Sequence, residues 1–206
     1  AAVYGVPQYL PLDETHPLEP INFYGFTKLE IERLLYWFSK LKGIDFSILR
    51  YFNAAGYDIN NRITTIEKKP KNLLPILMEV ASGIRDHVNI YGNDYNTHDG
   101  TCIRDYVHPS DLVSAHINSM YYIIENQTSL TLNLSTGIGY SILEVINMVQ
   151  EITGKDILYK ITSKRNGDLP ELISDSNLAQ RLIHWDLKYS NLSQIVESMW
   201  NIYKYN

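Results

Sequence analysis

The sequence predicts an α/β fold, and three features predict it. Short apolar stretches rich in Val, Ile, Tyr and Phe alternate along the chain with longer segments whose apolar residues recur at helical spacing. Such alternation favours layered strands and helices over a helical bundle. The composition, 45% hydrophobic and 20% charged over 206 residues, suits a chain that buries a core and argues against long disorder. No internal repeat or low-complexity tail interrupts the pattern.

Residues 7–22, "PQYLPLDETHPLEPIN", contain four prolines and predict a loop, because proline restricts the backbone and removes an amide donor. From about residue 23, Ile31, Leu34, Leu35, Phe38 and Leu41 follow helical spacing as an apolar stripe. Gly43 is the expected stop, with Lys40 and Lys42 in the last turn. "DFSILRYF", 45–52, predicts a strand that runs into the turn "NAAG". A second helix is expected over 72–82 with Pro75 in its first turn, followed by the strand "HVNIY". "GNDYNTHDGT", 92–101, predicts a long turn-rich loop. Pro109 to about Glu125 predicts a helix and "LTLNLS" a strand. Ser141 and Glu144 have capping-box spacing, so "SILEVINMVQEIT" predicts a helix ended by Gly154. "DILYKITS" predicts a further strand and residues 190–202 a terminal helix.

The formal charge of −5 disfavours nonspecific nucleic-acid binding. The single cysteine, Cys102, excludes an intrachain disulfide and an all-cysteine metal cluster, and predicts a reducing compartment. The six histidines are dispersed, so no metal is expected. No stretch approaches the roughly 20 apolar residues of a membrane-spanning helix, which predicts a soluble, cytoplasmic protein without a membrane partner. The opening "AAVYG" carries no initiator methionine and predicts further sequence upstream.

Tyr24 and Lys28 stand four residues apart on the first helix, so their side chains share a face. A nearby ammonium favours tyrosinate, the form that removes a proton from a substrate. By itself Tyr-x-x-x-Lys is common, and an ordinary helix-edge pair explains it equally well. The wider sequence is more specific. "AAVYG", "YGFTK", "LRYFNAAG", "IYGNDYNTHDGTCIRDYVH" and "RNGDLP" occur in order across nearly the whole chain. Together they resemble the consecutive signatures of the UDP-glucose 4-epimerase family of extended short-chain dehydrogenases/reductases.

The resemblance implies a partial Rossmann-type parallel sheet with a smaller mixed α/β substrate-binding lobe. Residues 1–59 and 105–134 would form the sheet domain, and 60–104 and 135–206 the lobe, with segments returning to the main domain. It implies NAD as cofactor and interconversion of UDP-glucose and UDP-galactose through a 4-keto sugar. N-acetylated UDP-hexosamines are further candidates, and the complete protein would be a homodimer. Tyr24 would be the catalytic base and acid, while Lys28 would hold the cofactor ribose. Tyr51 matches the cofactor edge and Asn53 a diphosphate-sugar binder. Asn72 and Leu73 match substrate ligands at a helix start, where Asn72 alone would equally be a cap. Asn89 and Tyr91 match positions around uridine. Arg104 and Arg165 would grip the diphosphate, because guanidinium makes paired bonds to phosphate oxygens. Asp168 would accept from a ribose hydroxyl, and Leu172 would stand beside the sugar C2 substituent. Asp105 and His108 would organise the Arg104 loop, and Gly137 and Gly139 a structural turn.

No G-x-x-G-x-x-G loop precedes these motifs, and the family's catalytic Ser or Thr would lie just before Ala1. The expectation is therefore a chain lacking the N-terminal cofactor-binding portion, inactive alone although the intact protein is an enzyme. Two alternatives remain open: a related nucleotide-sugar dehydratase or decarboxylating enzyme, and a noncatalytic nucleotide-sugar binding or interaction fragment.

Overall fold

A computed structural model describes residues 1–205. Its proline-rich opening runs as coil to Asn22, whose side chain accepts from the Gly25 amide at 2.8 Å and so caps helix α1 (Phe23–Lys42). Gly43 closes the helix in the left-handed region, φ 64°, where a side chain would be strained. The predicted stripe on α1 is not core. Gly25 and Leu29 are buried, whereas Ile31, Leu34, Phe38 and Leu41 are exposed. Periodicity identifies an apolar face without saying what covers it.

Strands β1 (Ser47–Tyr51) and β2 (Asn53–Ala54) follow, then α2 (Leu73–Ala81), β3 (Val88–Tyr91) and β4 (Ile103–Val107). Next come α3 (Pro109–Asn126), β5 (Leu130–Leu134), β6 (Gly139–Ser141) and α4 (Ile142–Thr153). The chain closes with β7 (Tyr159–Thr162), β8 (Glu171–Leu172), α5 (Asn177–Ile183) and α6 (Leu192–Tyr203). Pro75 lies in the first turn of α2, where its missing N–H costs no intrahelical bond. The capping box of α4 forms as expected, with Ser141 and Glu144 each bonding the other's backbone N–H.

β1 and β5 pair in parallel from Ser47 opposite Leu130 to Tyr51 opposite Leu134. Helices α3 and α5 cover the pair, and Leu112, Ala115, Leu132, Ile183 and Trp185 form its core. This is a Rossmann-like parallel sheet, so the chain includes cofactor-binding core, which corrects the expectation of a chain lacking the N-terminal cofactor-binding portion. That expectation rested on the absent glycine-rich loop, whereas parallel strands and their covering helices are separate parts of the same architecture. A second core, from α2, α4 and α6, packs beside β3, which pairs in parallel with β7. Between the two lies a mixed sheet. β4 pairs in parallel with β2 and β8 and antiparallel with β6.

A buried polar chain ties α1 to the parallel sheet. Arg50 on β1 donates to both carboxylate oxygens of Glu32 on α1, at 2.9 and 2.6 Å, and to the Tyr4 hydroxyl at 3.0 Å. Tyr4 in turn donates to the Asn133 side chain on β5 at 2.5 Å. Asn133 donates its backbone N–H to Glu14 and its amide to the Leu12 carbonyl, so the opening loop joins the same network. Among the described residues, no helix is long and apolar enough to cross a membrane.

Candidate active site

The C-terminal ends of the parallel strands and the mixed sheet meet at a cleft, the place where open α/β sheets hold ligands. One cavity of about 500 Å³ is lined by Tyr24, Tyr51, Asn53, Asn72, Leu73, Tyr91, Arg104, Arg165 and Asp168. Nine residues separated by up to 144 positions in sequence thus converge. A smaller recess of about 300 Å³ adjoins it, sharing Tyr24, Tyr51, Asn53 and Arg104 and adding Leu169 and Leu172. A third, of about 230 Å³, holds Tyr24, Lys28 and Tyr51 beside Ser47, Leu49 and Arg50 of β1. Tyr24 borders all three.

Each side chain reaches the cleft for a local reason. On α1 the four-residue spacing brings the Lys28 ammonium to 5.3 Å from the Tyr24 ring centroid. Asn53 sits in β2 opposite Tyr106 and donates its amide to the Asp105 carbonyl at 2.8 Å, which orients the side chain and leaves its oxygen free to accept. Asn72 occupies the N-cap position of α2 but makes no capping bond. Its amide is therefore available to a ligand. Arg104 on β4 is in register with Leu172 on β8 and with Tyr140 on β6, and its guanidinium bonds the Ile103 carbonyl. Arg165 pairs with both oxygens of Asp168, at 2.8 and 3.2 Å, and lies 4.4 Å over the Tyr91 ring. Asn89 lies on the same face of β3 as Tyr91 but is exposed, opposite Lys160, and does not line these cavities.

The supporting shell explains two positions that the sequence left outside the site. Asp105 is fully buried and accepts from the Thr136 N–H, the Thr136 hydroxyl and the Gly137 N–H, at 2.8–2.9 Å. It holds the 136–137 turn beside Arg104. Gly139 is a close-packing position, since a Cβ there would meet Ile173 and Ile103. His108 is buried and its ring caps α3 by accepting from the Ser110 N–H, while its backbone N–H donates to the Ser190 hydroxyl. The 92–101 loop is pinned to α4. Asp99 accepts from the Thr101 N–H and hydroxyl and from the Ser141 hydroxyl, and Thr101 accepts from the Ile142 N–H. Cys102 is buried against the large cavity. Among the described residues no group of His, Cys, Asp and Glu is placed to hold a metal ion.

Burial pushes the Asp105 carboxyl up to about 6, although the three hydrogen bonds pull it down. A carboxyl raised in the folded state stabilises the fold fully below the unfolded value near 3.8, and that contribution is lost as pH rises through about 6. Urea unfolding between about pH 4 and about pH 7 should show the natural protein losing about 2 kcal/mol relative to Asp105→Asn. The variant is expected to be weaker throughout, because its amide faces N–H donors. The slope is diagnostic, and parallel curves would remove the titration from Asp105.

Sequence reasoning missed Lys71, which lines the large cavity immediately before α2. Its signal was available: a lysine next to a helix N-terminus is dipole-unfavourable unless an anion shares the site.

Three comparisons bear on this geometry. A family model described as GDP-mannose 4,6 dehydratase matches residues 1–199. A UDP-glucose 4-epimerase of Halalkalibacterium halodurans is 42% identical over 204 residues, which cover 99% of this chain and 61% of that relative. The crystal structure of UDP-glucose 4-epimerase from Brucella ovis in complex with NAD is 37% identical, with a TM-score of 0.94 over 98% of this chain and 62% of that one. A UDP-glucose 4-epimerase from Stenotrophomonas maltophila, with bound NAD and formylated UDP-arabinopyranose, also superposes at 0.94, with 34% identity, over 100% of this chain and 61% of that chain. The chain thus spans about three-fifths of the length of the relatives it matches. The superpositions include the β1–β5 sheet, so they too overturn the expectation of a chain lacking the N-terminal cofactor-binding portion.

Proposed function

The chain belongs to the GDP-mannose 4,6 dehydratase family, and from its site and its epimerase relatives we propose an NAD-dependent nucleotide-sugar 4-epimerase that interconverts UDP-glucose and UDP-galactose. The observation that carries this reading is the place of Tyr24, on the border of all three recesses. On one side stand Lys28 and Tyr51, and on the other Asn53, Arg104 and Leu172. A proton-transfer group between a cofactor and a sugar needs that position.

The Lys28 and Tyr51 recess would take the ribose of NAD, since an ammonium donates to ribose hydroxyls beside the parallel strands. Bound there, NAD supplies a hydride acceptor that takes hydride from sugar C4 and later returns it. Tyr24 removes the C4 hydroxyl proton and gives a proton back to the C4 oxygen once the sugar presents its opposite face. Arg104, Arg165, Asn53 and Asn72 grip the diphosphate, Leu73, Tyr91 and Asp168 bind the uridine side, and Asn89 flanks Tyr91. The sugar, held more loosely beside Leu172, turns about its diphosphate link between the two transfers. Residues 1–59 and 105–134 act as the cofactor domain, and 60–104 and 135–206 as the substrate lobe. N-acetylated UDP-hexosamines, a homodimer that covers the exposed Leu34, Phe38 and Leu41 of α1, and a cytoplasmic location complete the reading.

The test is to incubate the intact protein with NAD+ and UDP-galactose and follow UDP-glucose without net NADH. A 4-keto-6-deoxy product would instead establish the dehydratase reading that the family description favours. Bound NAD with neither product would sink both enzyme readings.

A further inference from the structure

We infer that Lys71 is a third cation for the ligand's diphosphate, a binding residue that completes the charge of the large cavity; this inference rests on the nucleotide-sugar reading of that site. Lys71 lines the cavity, whereas Lys68 and Lys69 in the same basic stretch do not. Its ammonium has no hydrogen bond or ion pair among the described residues. The charges already in the cavity leave work for it. Arg165 is neutralised by a bidentate pair with Asp168, so among the described residues Arg104 is the only other cation in the lining without a carboxylate partner. With Lys71 the lining carries three cations and one carboxylate, a surplus of two positive charges in a chain whose net charge is −5. The diphosphate of a nucleotide sugar carries two negative charges. Without Lys71 the cavity falls one charge short.

Position adds to charge. Lys71 directly precedes Asn72, whose uncommitted amide and the first-turn N–H groups of α2 are favourable neighbours for an anion and unfavourable ones for a free ammonium. An anion between them reverses that local repulsion. A lysine serves here as a mobile point charge, in contrast to the paired, planar grip of the arginines.

The intact protein is titrated with UDP and with uridine, for the natural chain, Lys71→Gln and Lys71→Arg, at low and at moderate salt. Lys71→Gln is expected to weaken UDP about fivefold, to leave uridine unchanged and to lessen the salt dependence of UDP binding, while Lys71→Arg keeps most of the affinity. Equal UDP affinity in Lys71→Gln and the natural chain overturns the assignment of Lys71 alone. So does an equal loss for UDP and uridine, which would mark a structural effect. Failure of the natural chain to bind UDP overturns the nucleotide-sugar reading and this inference with it.

Discussion

Replacing Tyr24 with Phe is expected to slow epimerisation by about 10²- to 10⁴-fold, the range for losing a positioned acid–base group, with little change in nucleotide affinity. The substitution removes one oxygen and keeps the ring. Tyr24 is 63% exposed and its hydroxyl has no hydrogen bond among the described residues, so neither packing nor a buried network is lost. The Lys28 ammonium still finds the aromatic face at 5.3 Å, and α1 keeps its Asn22 and Gly43 caps. Arg104, Arg165 and Asn72, proposed above to grip the diphosphate, stand outside α1 and remain in place. Turnover and UDP affinity measured on the same sample separate the two roles: a fall in kcat with an unchanged Kd assigns the proton transfer to Tyr24. Unchanged turnover would refute that role, and a parallel loss of UDP binding would make Tyr24 a binding residue.

Much of the helical framework was legible because its signals are local. The Ser141–Glu144 box, Gly43 and Gly154 caps, and Pro75 in a first turn each act within a few residues, where sequence reading is informative. Strand β4 was not legible. Its polar Arg104 and Asp105 break the apolar run that marks a buried strand, and what makes it a strand is pairing with β2, β6 and β8, from elsewhere in the chain. The short β2, β6 and β8 were missed for the same reason, and the seven-residue α5 was missed as well. The stripe on α1 shows the converse error, a correct period with an unknown partner.

The site divides in the same way. The Tyr24–Lys28 proximity follows from helix geometry and was visible in the spacing. The meeting of Asn53, Arg104 and Arg165 depends on strand pairings over more than 50 residues, which no local pattern records, and only the ordered resemblance brought those residues together. Asn89 shows its limit, since sharing a face with Tyr91 does not carry it into the cavity. Asp105 was seen near the site, but its use of three donors from the 136–137 turn required the fold.

Arg50→Met should destabilise the protein by about 3–5 kcal/mol, because it leaves the Glu32 carboxylate buried without its partner. Arg50 is 7% and Glu32 13% exposed, so water reaches neither well enough to replace the two lost bonds. The variant also removes a donor from Tyr4, whose hydroxyl is already hard to ionise because burial raises it. Arg50→Met combined with Glu32→Leu should recover most of that loss, since a packed apolar pair avoids desolvating either charge. Denaturant midpoints at unchanged m-value measure both effects, and a single variant as stable as the natural protein would remove the pair from the account of the fold. Turnover then tells what else the pair does. Glu32 stands one helical turn beyond Lys28, and Arg50 directly precedes Tyr51, so the ion pair fixes α1 and its Tyr24 against the strand end proposed to face the cofactor. A double variant that regains stability yet turns over slowly would show that the charges set the angle of α1. Full recovery of both would show that filling the space is enough.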